Sequence, residues 1–190
     1  YGIDNPIIKV LIIECEFYNN SQIILFAGKS AILLCYKSIF SENSIFNYFM
    51  RMFGVQIKFI DVMITKINGL LPLLFIGDHS QIGLRNVSIK KIESIANIFL
   101  LKNMVVSFFA NILISNVNSG QNAFQILASP FCYFENIFIE NTNLKNFLDA
   151  KKSCLIFKKV YILISSLKFL FFFTKYSKGV LLNIFFFAFL

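Results

Sequence analysis

What this chain of 190 residues has least of is titratable chemistry: ten acidic residues, four cysteines and one histidine. The histidine, His79, sits in "GDHS" (77–80), the one phrase where it meets an acid. A Ser-His-Asp arrangement needs those groups to converge, whereas neighbours along an extended strand point to opposite faces. The phrase therefore reads as a polar turn. Cys15, Cys35, Cys132 and Cys154 lack the Cys-x-x-Cys spacing of a zinc site. With no glycine-rich phosphate loop either, the sequence calls for no metal and no cofactor.

An unbroken apolar run is also missing. A membrane-spanning helix needs about 20 consecutive apolar residues. The segment 167–190 is interrupted by Lys168, Lys175 and Lys178, and 69–77 is short and contains Pro72. The uncharged run 104–134 is punctuated by Asn111, Asn116, Asn118, Gln121, Asn122 and Gln125. Basic residues give a net charge of +8 but are scattered, apart from the doublets at 90–91, 151–152 and 158–159. Nucleic-acid interfaces group such residues on one face between aromatic platforms. No such grouping exists, so nucleic acid is not an expected partner.

What the chain has in excess is apolar surface: 57% hydrophobic residues and 25 Phe. Either most of these point into a core, or the chain is a multispan membrane protein. The abundance of Lys, Asn, Ile and Phe also fits an AT-rich genome. Starting at Tyr1 rather than Met and ending in "IFFFAFL", residues 1–190 read as one segment of a longer chain.

A repeat favours the core. "NVSIKKIES" (86–94), "NILISNVNS" (111–119) and "NIFIENTNL" (136–144) start 25 residues apart, and Asp61 precedes them by the same step. The second column reads Val62, Val87, Ile112, Ile137 and the fourth Ile64, Ile89, Ile114, Ile139. Small length changes carry the anchors back to Tyr36 and Lys9 and forward to Lys159 and Asn183. They add Ile12, Ile39 and Ile162 to the Ile column, which Phe186 ends. The eighth column holds Asn43, Asn68, Asn118 and Asn143, interrupted by Glu93. Two further apolar runs recur per unit, such as "MVVSFF" (104–109) and "FQIL" (124–127).

Three short strands per unit cannot bury a face alone, but stacked turns can. Parallel pairing of each strand with its copy one turn on, at about 4.8 Å, aligns Ile with Ile and lets Asn side chains bond coil to coil. The expected fold is all-β, a right-handed parallel β-helix of about seven coils with a period near 25 residues. Segment 44–54 interrupts the pattern and reads as a loop or short helix.

This pattern resembles the pectin-lyase-like superfamily. "IIECEFYNNSQ" (12–22) followed by "AGKSAILL" (27–34) is similar to the Phe-x-x-Asn and Gly-Gly-Ala-Ile repeat of bacterial polymorphic outer-membrane proteins and of ciliate surface proteins. Phe17 and Asn20 match the first half. Gly28, Ala31 and Ile32 match the second, where Lys29 and Ser30 replace the glycine pair. Enzymes on this fold usually gather carboxylates in one column as acid, base or cation ligands. Here Asp61, Glu93 and Glu140 fall in three different columns. The paired aspartates and Gly-His-Gly of polygalacturonases are missing, as is a lyase-type arginine motif.

Cys132 and Cys154 precede their anchors by four and five residues, so stacking puts them in adjacent coils at about 4.8 Å, inside the disulfide range. A bridge between them is one expectation and a pair of free buried thiols the other. Asn19 and Asn86 fit the N-glycosylation pattern, which leans toward the cell surface.

The expected protein is thus a non-catalytic spacer or adhesion platform of a larger surface or membrane-anchored protein. Its partners would be a glycan or another surface protein, met on the outward column Ser88, Leu113, Phe138 and Tyr161. Any membrane association would run through segments outside these residues. A degenerate or partial carbohydrate-active enzyme and a multispan membrane protein are the alternatives.

Overall fold

The computed structural model describes residues 8–18, 24–42, 44–45, 50–69, 72, 74–77, 79–164, 166–173 and 178–188. Among these lie seventeen strands and no helix. Every strand pair is parallel, and each strand meets its copy one turn away rather than its neighbour in sequence. The fold is a parallel β-solenoid with a period near 25 residues. It has about five turns, where seven coils were expected. The five run through 31–163, and strand pairing alone continues the stack at each end.

Each turn contributes three strand segments, which stack into three ladders. The first runs through 8–13, 31–36, 55–60, 81–85, 106–110, 132–135 and 154–158. The second follows through 39–41, 63–65, 87–90, 112–115, 137–140 and 160–163. The third runs through 50–53, 74–77, 99–102, 124–127 and 148–151. The recurring apolar runs of the sequence are these ladders. Segment 44–54 is a correction: its described parts belong to strands Ser44–Ile45 and Met50–Ile60. Its apolar residues fit either period, and pairing with Ile24–Tyr36 and with Leu74–Gly77 decides for strand.

The turns between ladders share one device. All sixteen non-glycine residues with positive φ among the described residues fall into three corner columns. The first holds Glu14, Lys37, Asp61, Asn86, Asn111, Asn136 and Lys159; the second Glu42, Lys66, Lys91, Asn116 and Asn141; the third His79, Asn103, Ala128 and Lys152. One left-handed residue bends the chain sharply without breaking the parallel stack, and Asn tolerates that conformation best among non-glycine residues. The corner N–H still finds a carbonyl one turn on, as from Asp61 to Arg85 at 3.0 Å and from Asn103 to Leu127 at 2.9 Å.

Beyond each corner, alternate residues point inward. Val62, Val87, Ile112, Ile137 and Val160 form one buried column, and Ile64, Ile89, Ile114, Ile139 and Ile162 the next. Two other members expected in the Ile column are off register. Ile39 pairs with Met63, so Phe40 sits beneath Ile64, and Ile12 pairs with Cys35 in the first ladder. The true anchors at that end are Glu14 and Lys37, whose spacing is shorter than 25, and a slip of one residue turns a side chain to the other face.

The phenylalanines fill the space between the first and third ladders. Phe109, Phe134 and Phe157 stack in one column, with centroids 4.9 and 4.7 Å apart. Phe99 and Phe124 stack in the other at 4.7 Å. The two columns meet edge to face, Phe109 on Phe124 at 5.4 Å and Phe124 on Phe134 at 5.1 Å. Each such contact adds about 0.5–1.5 kcal/mol beyond the burial itself.

Candidate functional site

The exposed polar side chains of the first corner bond to one another. Asn86 Nδ2 donates to Asp61 Oδ1 at 2.8 Å, Asn111 Nδ2 to Asn86 Oδ1 at 2.8 Å, and Asn136 Nδ2 to Asn111 Oδ1 at 2.9 Å. All donate in one direction, so the amides polarise one another along the rod. An amide ladder was expected in the eighth column, and it lies chiefly in the first. The letters were visible as the anchors of the repeat; what they needed was a reason, which the left-handed corner supplies.

In the eighth column, Asn143 Nδ2 donates to Asn118 Oδ1 at 3.1 Å. Asn68 and Asn118 each stand beside Glu93. Asn43 lies outside the described residues, and backbone pairing sets Ser44 rather than Asn43 beside Asn68.

Buried serines occupy other corners. Ser80 Oγ donates to Gly77 O and accepts from Val55 N–H at 3.2 Å. Ser129 Oγ accepts from Met104 N–H, and Ser153 Oγ from Ser129 N–H at 3.2 Å. Both oxygen functions of Ser80 are thus engaged in holding a turn, and the adjoining His79 is exposed at a left-handed corner. His79 and Ser80 lie in a turn that follows strand Leu74–Gly77, and Asp78 lies outside the described residues.

All four cysteines are free. Cys132 pairs with Leu155, not Cys154, and adjacent positions on a strand face opposite ways, so of the two expectations the free thiols hold and the bridge does not. Burial pushes the Cys132 thiol up to about 12 and the Cys35 thiol up to about 11. Neither is a nucleophile at neutral pH. No group of three or more His, Cys, Asp or Glu able to hold a metal occurs among the described residues.

Among the described residues, two surfaces are accessible and regular along the stack. The outward column of the second ladder places Ser88, Leu113, Phe138 and Tyr161 in register. Phe138 is 45% exposed and its ring stacks on Tyr161, centroids 4.6 Å apart. A matching stack, Phe108 on Tyr133 at 5.3 Å, lies on the outer face of the first ladder. The second surface is a groove of about 460 Å³ beside the second corner. Its walls include Lys66, Lys91, Asn116 and Asn141 on one side and Asn68, Glu93, Asn118 and Asn143 on the other. The sequence reading missed it, because the first of these rows is marked only by being five residues past each anchor.

Among the described residues no helix is long and apolar enough to cross a membrane. No family model matches the chain, and neither does any curated protein or solved structure.

Proposed function

We propose that this chain is a non-catalytic segment of a larger surface or membrane-anchored protein, a rigid rod that spaces other modules and offers a face to a glycan or protein ligand. The observation that supports the reading is the first-corner ladder from Asp61 to Asn136, where polar side chains are bonded coil to coil. Such side chains stiffen a scaffold and leave little to act on a substrate. Handedness enters as part of the proposal: parallel crossovers are right-handed in about 98% of cases, in keeping with the resemblance to pectin-lyase-like and ciliate surface proteins. The outward column from Ser88 to Tyr161 is the face assigned to the ligand, with the Phe138 and Tyr161 rings as its apolar end.

The test is an activity screen with a built-in alternative. The chain is incubated with plant, bacterial and animal polysaccharides, and new reducing ends and unsaturated products are measured. None should accumulate above a heat-denatured control. Cleavage that saturates with substrate would replace this reading with that of a carbohydrate-active enzyme.

A further inference from the structure

We infer that the groove beside the second corner is a binding site for a neutral, hydroxyl-rich chain, an extended oligosaccharide. The inference rests on the platform reading and moves its ligand off the outer face of the second ladder. Three features of the groove select the ligand.

The first is charge. Among the described residues the ionic groups of the walls are Lys66, Lys91 and Glu93, and Lys66 is already paired with Glu42. A groove so nearly balanced offers a polyanion little of the charge excess that recognition of such chains depends on.

The second is donor and acceptor content. Asn68, Asn116, Asn118, Asn141 and Asn143 are exposed, and an amide can both donate and accept, with one donor of Asn143 and one acceptor site of Asn118 spent on their mutual bond. A hydroxyl group does the same, so a sugar chain meets matching partners whichever way its hydroxyls turn. The buried residues Ile92, Val117 and Thr142 between the two rows hold this part of each turn against the core.

The third is spacing. Each wall repeats once per turn, at about 4.8 Å along the rod. A bound peptide strand repeats each face at about 6.6–6.8 Å and falls out of step with the amides after one turn. The rings of an extended pyranose chain follow one another at close to the strand spacing and stay in step across all four turns of the groove. No aromatic residue lines it among the described residues, so recognition is by hydrogen bonding rather than by ring stacking.

The experiment is a calorimetric and NMR titration of the full chain with neutral oligosaccharides of increasing length, set against extended peptides and sulfated glycans. The variant is Asn116→Gly combined with Asn141→Gly, which removes two amides and keeps the left-handed backbone both corners require. Saturable binding should strengthen with oligosaccharide length, and the double variant should bind roughly tenfold more weakly with an unchanged circular dichroism spectrum. Phe138→Ala should leave that binding intact. Absence of saturable binding by any neutral sugar, or preference for peptides or polyanions, would overturn the inference. So would sugar binding that survives the double variant. Binding lost in Phe138→Ala alone would sink the groove while sparing the platform reading, whereas cleavage of the sugar would sink the platform reading itself.

Discussion

The middle turns, from Asp61 to Lys159, and the first turns, from Ile8 to Glu42, share one backbone and differ in how they secure it. In the middle, left-handed corners are held by an amide ladder, and the inward columns are fully covered. In the first turns the same corner carries Glu14 and Lys37, joined by an exposed ion pair at 3.5 Å. Phe17, Val10 and Ile12 are only partly buried there. The difference separates what the solenoid requires from what improves it. A left-handed corner and an inward apolar alternation appear in both regions, so they define the turn. Among the described residues the ladder is confined to the middle, and the core is closed from Ala31 onward, where a turn has neighbours above and below.

The widest contrast is expected in thiol chemistry. Cys15 is exposed in the first turns, and Cys132 is buried in the middle with its thiol pushed up to about 12. A maleimide or disulfide reagent at pH 8 should modify Cys15 at least on the order of a hundredfold faster than Cys132. Mass mapping over time reads this directly. Equal rates would mean that the middle turns open as readily as the end.

Core truncation comes next. Phe134 touches Phe109, Phe124 and Phe157 and has no exposed surface. Phe134→Ala should cost about 3–5 kcal/mol in urea unfolding. Phe17, which stacks on Phe40 at 4.7 Å near the end of the rod, should cost about 1–2 kcal/mol as Phe17→Ala. Similar costs would show that the first turns are as cooperative as the middle.

At the corners the contrast changes sign. Asn111 both donates and accepts in the ladder. Asn111→Gly should therefore lose about 1 kcal/mol, and Asn111→Ala about 1 kcal/mol more for placing a Cβ in the left-handed region. Lys37, with φ 46, has only surface contacts to lose, an exposed ion pair with Glu14 and a cation–π contact with the neighbouring Tyr36 ring at 5.4 Å. Lys37→Asn should gain about 0.5–1 kcal/mol. Thermal unfolding of the three variants tests the ordering, and a Lys37→Asn variant less stable than its parent would refute the account of the corners.

The same comparison explains what could be read in advance. From Asp61 to Asn136 every turn has one length, so Ile64, Ile89, Ile114 and Ile139 align by counting alone, and the structure pairs them. In the first turns the corners come closer together, and counting from Tyr36 instead of Lys37 put Ile39 where Phe40 belongs. A period of two in strands makes such an error total rather than gradual. The expected bridge between Cys132 and Cys154 failed for another reason: its anchors Asn136 and Lys159 are the true corners, and the offsets of four and five residues already set the two cysteines one position apart. The groove was illegible for a different reason. Its walls come from residues that are polar in any loop, and only the bend at Lys66, Lys91, Asn116 and Asn141 sets them facing a second row.

The smallest effect concerns the ion pairs that cross turns in both regions. The Lys158 ammonium lies 2.8 Å from Glu135 and, by hydrogen bonding first, holds its carboxyl below the ordinary glutamate range. Lys66, and after it Tyr18, do the same for Glu42. A carboxyl depressed in the folded state binds its proton more readily when unfolded. Its contribution to stability is therefore complete above the ordinary glutamate range and fades as pH falls through the lower, folded value. Because these groups are partly exposed and screened, the contribution is small. Urea midpoints measured from pH 7 to about pH 3 should fall less steeply on the acid side for Glu135→Gln and for Glu42→Gln than for the parent. If ladder and core alone secure the middle turns, the Glu135→Gln curve will run parallel to the parent while the Glu42→Gln curve flattens. That result would confine the role of ion pairs to the first turns.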